Sequence, residues 1–176
     1  MKTSNFPQIF RNIDGEAFRN CQICEIDLFE PRQMYVIERA IKNYLDIGGN
    51  QVLFEHAVCL SCAQNEQENL SEESRESLRL YFQAMRPKED EFSGDFNQCL
   101  ITQKSLENIE EYQVFGMGFG SEMLEMNGFP FALSGEIMEE IAEQLSKETR
   151  DYLDGYMTDK FGVPPEFESP LRPVLL

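Results

Sequence analysis

Cys21-Gln22-Ile23-Cys24 and Cys59-Leu60-Ser61-Cys62 stand thirty-four residues apart, and the reading of these two Cys-x-x-Cys pairs decides how the rest of the chain is organised. Two residues between cysteines let both sulfurs of a tight turn point at one ion, so the pairs together supply the four soft thiolates of a tetrahedral site. Cys21, Cys24, Cys59 and Cys62 are the expected ligands of one structural Zn2+. A closed four-cysteine site leaves no open coordination position for chemistry. The rival reading is two pairs of buried or redox-active cysteines without metal. A thioredoxin-like motif uses one Cys-x-x-Cys that opens a helix after a buried strand; the second pair suits this, but the first is then unexplained.

Between the pairs, Met34-Tyr35-Val36-Ile37-Glu38-Arg39-Ala40-Ile41-Lys42 is rich in β-branched and aromatic residues and reads as a strand. Helical spacing of Met34, Ile37, Ile41, Tyr44 and Leu45 keeps a helix as the competitor. Gly48-Gly49-Asn50 signals a tight turn, and Gln51–Val58 reads as the strand that returns to the second cysteine pair. The expected order is a knuckle, a hairpin and a second pair delivered at a helix start, over Cys62–Asn69. His56 is the single histidine. It is a candidate zinc ligand or orienter of a thiolate, but a partly exposed strand position is the preferred reading.

Ser71 with Glu72 and Glu73 opens a further helix, which carries Leu78, Phe82 and Met85 as its apolar stripe. Pro87 stops it, and the charged, Gly-containing run 88–95 is the best linker. The expected division is a zinc module with its following helix over 1–88 and an α+β domain over 89–176.

In the second half, Cys99-Leu100-Ile101-Thr102 has the look of a worn-down knuckle. One cysteine without partners binds no structural zinc, so a small buried residue is the preferred reading. Tyr112–Gly120, read as a strand, has Phe115, Met117 and Phe119 on one face and Gly116, Gly118 and Gly120 on the other, where something must approach closely. Internal packing by the helix Ile137–Leu145 is preferred to a ligand platform. Asn127-Gly128 is a hairpin turn leading into Phe129–Leu133. Ser134 and Ser146 are expected to cap the last two helices, the first of which turns Glu136, Glu139, Glu140 and Glu143 to water. A proline-broken tail follows.

The 176 residues, 41% hydrophobic and 27% charged, describe a globular chain. Against 15 Lys and Arg stand 32 Asp and Glu, a net charge of −17. Such a field repels phosphate backbones and anionic lipid, so the expected partner is a basic protein or a neutral small ligand, with no nucleic acid and no membrane. Met1–Pro7 lacks the apolar run of a signal peptide, and the expected location is cytoplasmic. Five cysteines in a reducing compartment are four ligands plus Cys99.

Phe54–Ala63, Leu70–Ser74 and Lys160–Pro165 together resemble an uncharacterised bacterial family with paired Cys-x-x-Cys motifs. The resemblance implies zinc and one architecture for both halves, and carries no activity. The fold class is therefore α+β, a treble-clef or zinc-ribbon-like N-terminal module packed with a small antiparallel sheet and two C-terminal helices. The leading function is a non-catalytic adaptor. The alternative is an enzyme or small-ligand-binding protein with its site between the halves, drawing on His56, Cys99 and the acidic residues near Glu122.

Overall fold

Seven consecutive residues, Tyr35 to Ile41, are buried, and that follows from a strand paired on both edges with both faces covered. The computed structural model of the chain describes residues 2–85, 96–126 and 128–162. The expected linker at 88–95, Asn127 of the hairpin turn and the tail beyond Gly162 lie outside the described residues. In chain order the elements are β1 (Lys2–Ser4), a 3-10 turn Gln8–Phe10, β2 (Met34–Asn43), β3 (Asn50–Cys59), α1 (Leu60–Glu68), α2 (Glu72–Met85), a 3-10 turn Leu106–Asn108, β4 (Glu111–Phe119), β5 (Glu122–Glu125), β6 (Phe131–Ser134), α3 (Gly135–Glu143) and α4 (Lys147–Phe161). This is a mixed α+β fold, with one six-stranded antiparallel sheet and four helices among the described residues.

The sheet runs β1-β5-β4-β2-β3, with β6 also on β4. β2 holds one edge of β4 from Met34 opposite Phe119 to Lys42 opposite Glu111. The other edge is shared: β5 pairs at Gly118 and Phe119, and β6 pairs over Tyr112–Phe115. One ladder thus joins strands from either side of the expected boundary at 88/89. A single hydrophobic cluster takes in Phe10, Ile37 and Val58 together with Val114, Leu133 and Met138. The boundary therefore does not divide the core into two.

Register assigns the faces, because directly opposed residues point the same way. Tyr35, Ile37 and Arg39 share a face with Gly118, Gly116 and Val114; Val36, Glu38 and Ala40 share the other with Met117, Phe115 and Gln113. The N-terminal segment covers the first face, with the Phe6 and Tyr35 ring centroids 6.3 Å apart. On the second, Phe54 and His56 meet Phe161 of α4.

Three expectations change here. The glycine face of β4 is filled, but not by the helix over 137–145. A β-carbon on Gly116 would come within 2.7 Å of Phe10 Cδ1, Gly118 lies under the Tyr35 ring, and Gly120 faces Arg32. The aromatics come from β2 and the N-terminal segment because those elements lie over that face. Ser134 occupies the N-cap position of α3 but makes no side-chain cap bond, since its hydroxyl turns to Cys99. Ser146 does cap α4, accepting from Thr149 N–H. On α2, Leu78 is buried and Phe82 packs on the core, while Met85 faces solvent.

Candidate metal centre

The first pair sits in a miniature hairpin closed by the Asn20–Asp27 bridge. Cys21 N–H donates to Ile26 O at 3.0 Å and Glu25 N–H to Cys21 O at 2.8 Å. Glu25 has φ 62°, the left-handed turn that swings both sulfurs to one side. Asp27 stiffens the base by accepting from Phe29 N–H at 2.7 Å and pairing with Arg19 at 2.9 Å; these bonds, the Phe29 amide foremost, hold its carboxyl below the usual range.

Gln22 fastens the knuckle to the outer edge of β3. Its N–H donates to Ala57 O at 3.0 Å, its Oε1 accepts from Ala57 N–H at 2.9 Å, and its Nε2 reaches Glu55 O at 3.4 Å. The second pair comes from the junction of β3 and α1. Cys59 is the extended residue before the helix (φ −60°, ψ 151°) and Cys62 lies in the first turn, where free amides and the helix dipole favour thiolate.

The four sulfurs lie within 4.8 Å of one another, with Cys24 Sγ and Cys59 Sγ 3.8 Å apart and Cys59 N–H donating to Cys21 Sγ at 3.4 Å. None of the five cysteines is in a disulfide. A tetrahedral cation with metal–sulfur bonds of about 2.3 Å requires sulfur–sulfur edges of about 3.8 Å, so the donor set fits such an ion. Among the described residues it is the one group of three or more metal-ligating side chains.

Electrostatics also suit a cation. Burial opposes ionisation of Cys21, but N–H donors at Cys24, Cys59 and Ile23 outweigh it and bring the thiol down to about 7. Burial pushes Cys59 and Cys62 up, and neighbouring sulfurs add to the rise. One thiolate is thus ready while its neighbours resist, and a bound dication removes that resistance by supplying the missing positive charge.

The other sequence-nominated residues lie apart from this quartet and from each other. His56 is fully buried, not a partly exposed strand position, because it points from β3 under α4 and stacks on Phe161 at 5.8 Å. Its two ring nitrogens have no hydrogen-bond partner, and Nε2 is 3.9 Å from Glu38 Oε2. Burial holds its imidazole down to about 3. Cys99 is buried against Ser134 and Thr102. Glu122 pairs with Arg32 and accepts from Thr3 at 3.2 Å. The alternative site joining His56, Cys99 and Glu122 is not assembled.

Sequence reasoning missed two polar groups inside the apolar strands. Glu38, fully buried, accepts from Gln113 Nε2 at 2.9 Å. Arg39 donates to Glu55 at 3.0 Å and to Ile9 O at 2.7 Å, tying the N-terminal segment to the sheet. A Glu-Arg dipeptide in the middle of an apolar strand was the available signal. Arg39 and Tyr112 also line a pocket of about 690 Å³ with Ile9, Ile13, Ile41 and Val52. No helix among the described residues is long and apolar enough to cross a membrane.

No protein family, curated protein or solved structure matches the chain.

Proposed function

We propose that this chain is a non-catalytic adaptor whose first knuckle is fixed by one structural Zn2+. The observation that carries the reading is the closed quartet of thiols within 4.8 Å. A cation with four protein sulfurs has no position left for a substrate. The order of knuckle, hairpin and helix supports a treble-clef-like module, and free cysteines suit a reducing compartment such as the cytoplasm. A net charge of −17 suits a basic protein surface as partner and disfavours nucleic acid.

Cobalt substitution tests the metal's role. Co2+-loaded protein should show the ligand-field bands of a tetrahedral four-sulfur centre, unchanged by added azide or cyanide. Bands that shift on adding either anion would reveal an open position and defeat the structural reading. Titration with a lysine- and arginine-rich peptide should give salt-sensitive binding, whereas duplex DNA should give none.

A second reading, small-ligand binding, is favoured by the pocket between the N-terminal segment and strands β2, β3 and β4. Its size lies in the range of ligand pockets. Arg39 Nη2 and the Tyr112 hydroxyl have no hydrogen-bond partner among the described residues, so both are available to a carbonyl or carboxylate.

A further inference from the structure

Three backbone hydrogen bonds that shape the first knuckle have counterparts 78 positions further on. Cys99 N–H donates to Lys104 O at 2.9 Å, as Cys21 does to Ile26; Gln103 N–H closes on Cys99 O at 2.9 Å, as Glu25 does on Cys21. Leu106 N–H reaches Asn97 O at 2.9 Å, matching Leu28 to Arg19 at 2.7 Å. Gln103, φ 58°, and Glu25, φ 62°, are the two non-glycine residues with left-handed backbone among the described residues, a conformation few side chains adopt.

The match continues through sheet and helices. Leu100 N–H docks on Ala132 O at 2.8 Å as Gln22 docks on Ala57, and Ser134 N–H donates to Cys99 Sγ at 3.3 Å as Cys59 N–H donates to Cys21 Sγ at 3.4 Å. Tyr35 opposes Cys59 as Tyr112 opposes Ser134, and Glu38 opposes His56 as Phe115 opposes Phe131. Cys59 and Ser134 each precede a helix. Eleven residues after them come Leu70-Ser71-Glu72-Glu73-Ser74-Arg75 and Leu145-Ser146-Lys147-Glu148-Thr149-Arg150, which open α2 and α4. With β2 antiparallel to β4 and Glu38 opposite Phe115, an approximate twofold axis between those strands relates the two copies.

From this we infer that the chain is a tandem duplication of one metal-binding module, and that Cys99, Thr102, Ser134 and Ile137 hold the four ligand positions of a second site for a soft divalent cation such as Zn2+, converted to a metal-free contact. Where the first copy gathers four sulfurs, the second surrounds one sulfur with hydrogen-bond partners: Thr102 N–H donates to it at 3.5 Å and Ser134 N–H at 3.3 Å, and the thiol donates to Ser134 Oγ at 3.6 Å. Ile137 is buried in the fourth position. Hydroxyl oxygens and an aliphatic chain are poor ligands for such an ion, so the natural chain loads one equivalent and the ancestral arrangement two.

The test restores the ligands in the full-length chain, with Thr102→Cys, Ser134→Cys and Ile137→Cys together, and counts Zn2+ and Cd2+ per folded chain by elemental analysis. A milder Thr102→Cys/Ser134→Cys variant keeps Ile137 and offers three thiolates plus water. Two equivalents in either variant against one in the natural chain is the expected result. One equivalent in both folded variants overturns the inference, as does loss of the fold in both with zinc present, since the matched backbone would then reject its twin's ligands. The inference rests on the first quartet holding metal, and the natural chain reads that separately: no metal there defeats the adaptor's zinc, whereas one equivalent everywhere defeats only the duplicated site.

Discussion

The ring of Tyr35 occupies the space that a β-carbon on Gly118 would need, and the Tyr35 hydroxyl donates to Gly120 O at 2.9 Å. Strand β4 is therefore bare at alternate positions so that an aromatic from its neighbour can lie against its backbone. Gly118→Val should cost about 3 kcal/mol by overpacking, lowering Tm by roughly 6–12 °C at about 2–4 °C per kcal/mol for a chain of this size. Gly155→Ala, in α4 with nothing near the added carbon, should instead stabilise by about 0.5–1 kcal/mol. Thermal melts of both variants check the contrast, and an unmoved Tm for Gly118→Val would contradict the packing.

The caps of α2 and α4 meet. Ser71 Oγ accepts from Ser74 N–H at 3.1 Å, Ser146 Oγ accepts from Thr149 N–H at 3.2 Å, and the two serine hydroxyls lie 2.9 Å apart. Ser71→Ala and Ser146→Ala should each cost about 1 kcal/mol. Because they share one network, the double variant should depart from additivity by roughly 0.5–1 kcal/mol. Urea titrations of the four proteins measure the coupling, and strict additivity would show the caps to be independent.

Acid should weaken the fold through His56. Its folded-state pKa of about 3 lies below the unfolded 6.5, so the unfolded chain binds more protons between those values and stability falls as pH drops through 6.5 toward 3. One unit below 6.5 the loss is about 1.4 kcal/mol. His56→Phe, which puts a ring without a titratable group among Phe54, Tyr156 and Phe161, should lose that slope. Urea melts of the zinc-loaded proteins at pH 7.5 and 5.5 compare the two, and parallel slopes would place the acid sensitivity elsewhere.

Metal removal should unfold the first knuckle, because ligand binding and folding share one free energy in such sites. Cys59→Ser takes away the sulfur ligand at the end of β3 and leaves the backbone N–H that donates to Cys21 Sγ. Metal content and Tm should fall together, by more than Cys24→Ser produces, since Cys24 is exposed and Cys59 is buried. Equal losses would assign both cysteines the same weight.

Local signals carried far in this chain. The four cysteines were readable because spacing alone brings paired sulfurs together, and β2 was readable because β-branched and aromatic residues fill it. Which element covers Gly116 and Gly118 was not, since glycine announces a close approach without naming what approaches. Nor was the burial of His56, which depends on α4 crossing a strand about a hundred residues earlier in the chain. Nor was the burial of Glu38 and Arg39, which follows from pairing on both edges of β2 and cover on both of its faces.

Gln22, by bonding to both the N–H and the C=O of Ala57, covers part of the border that an outermost strand otherwise offers to any other chain; Leu100 N–H covers the C=O of Ala132 on β6. Unpaired strand borders are templates for fibril growth and strand exchange, and β3 presents Val52, Leu53 and Phe54 along such a border. A cation held by the cysteine quartet would keep Gln22 seated, and with it the cover over the end of β3 at Ala57 and Glu55.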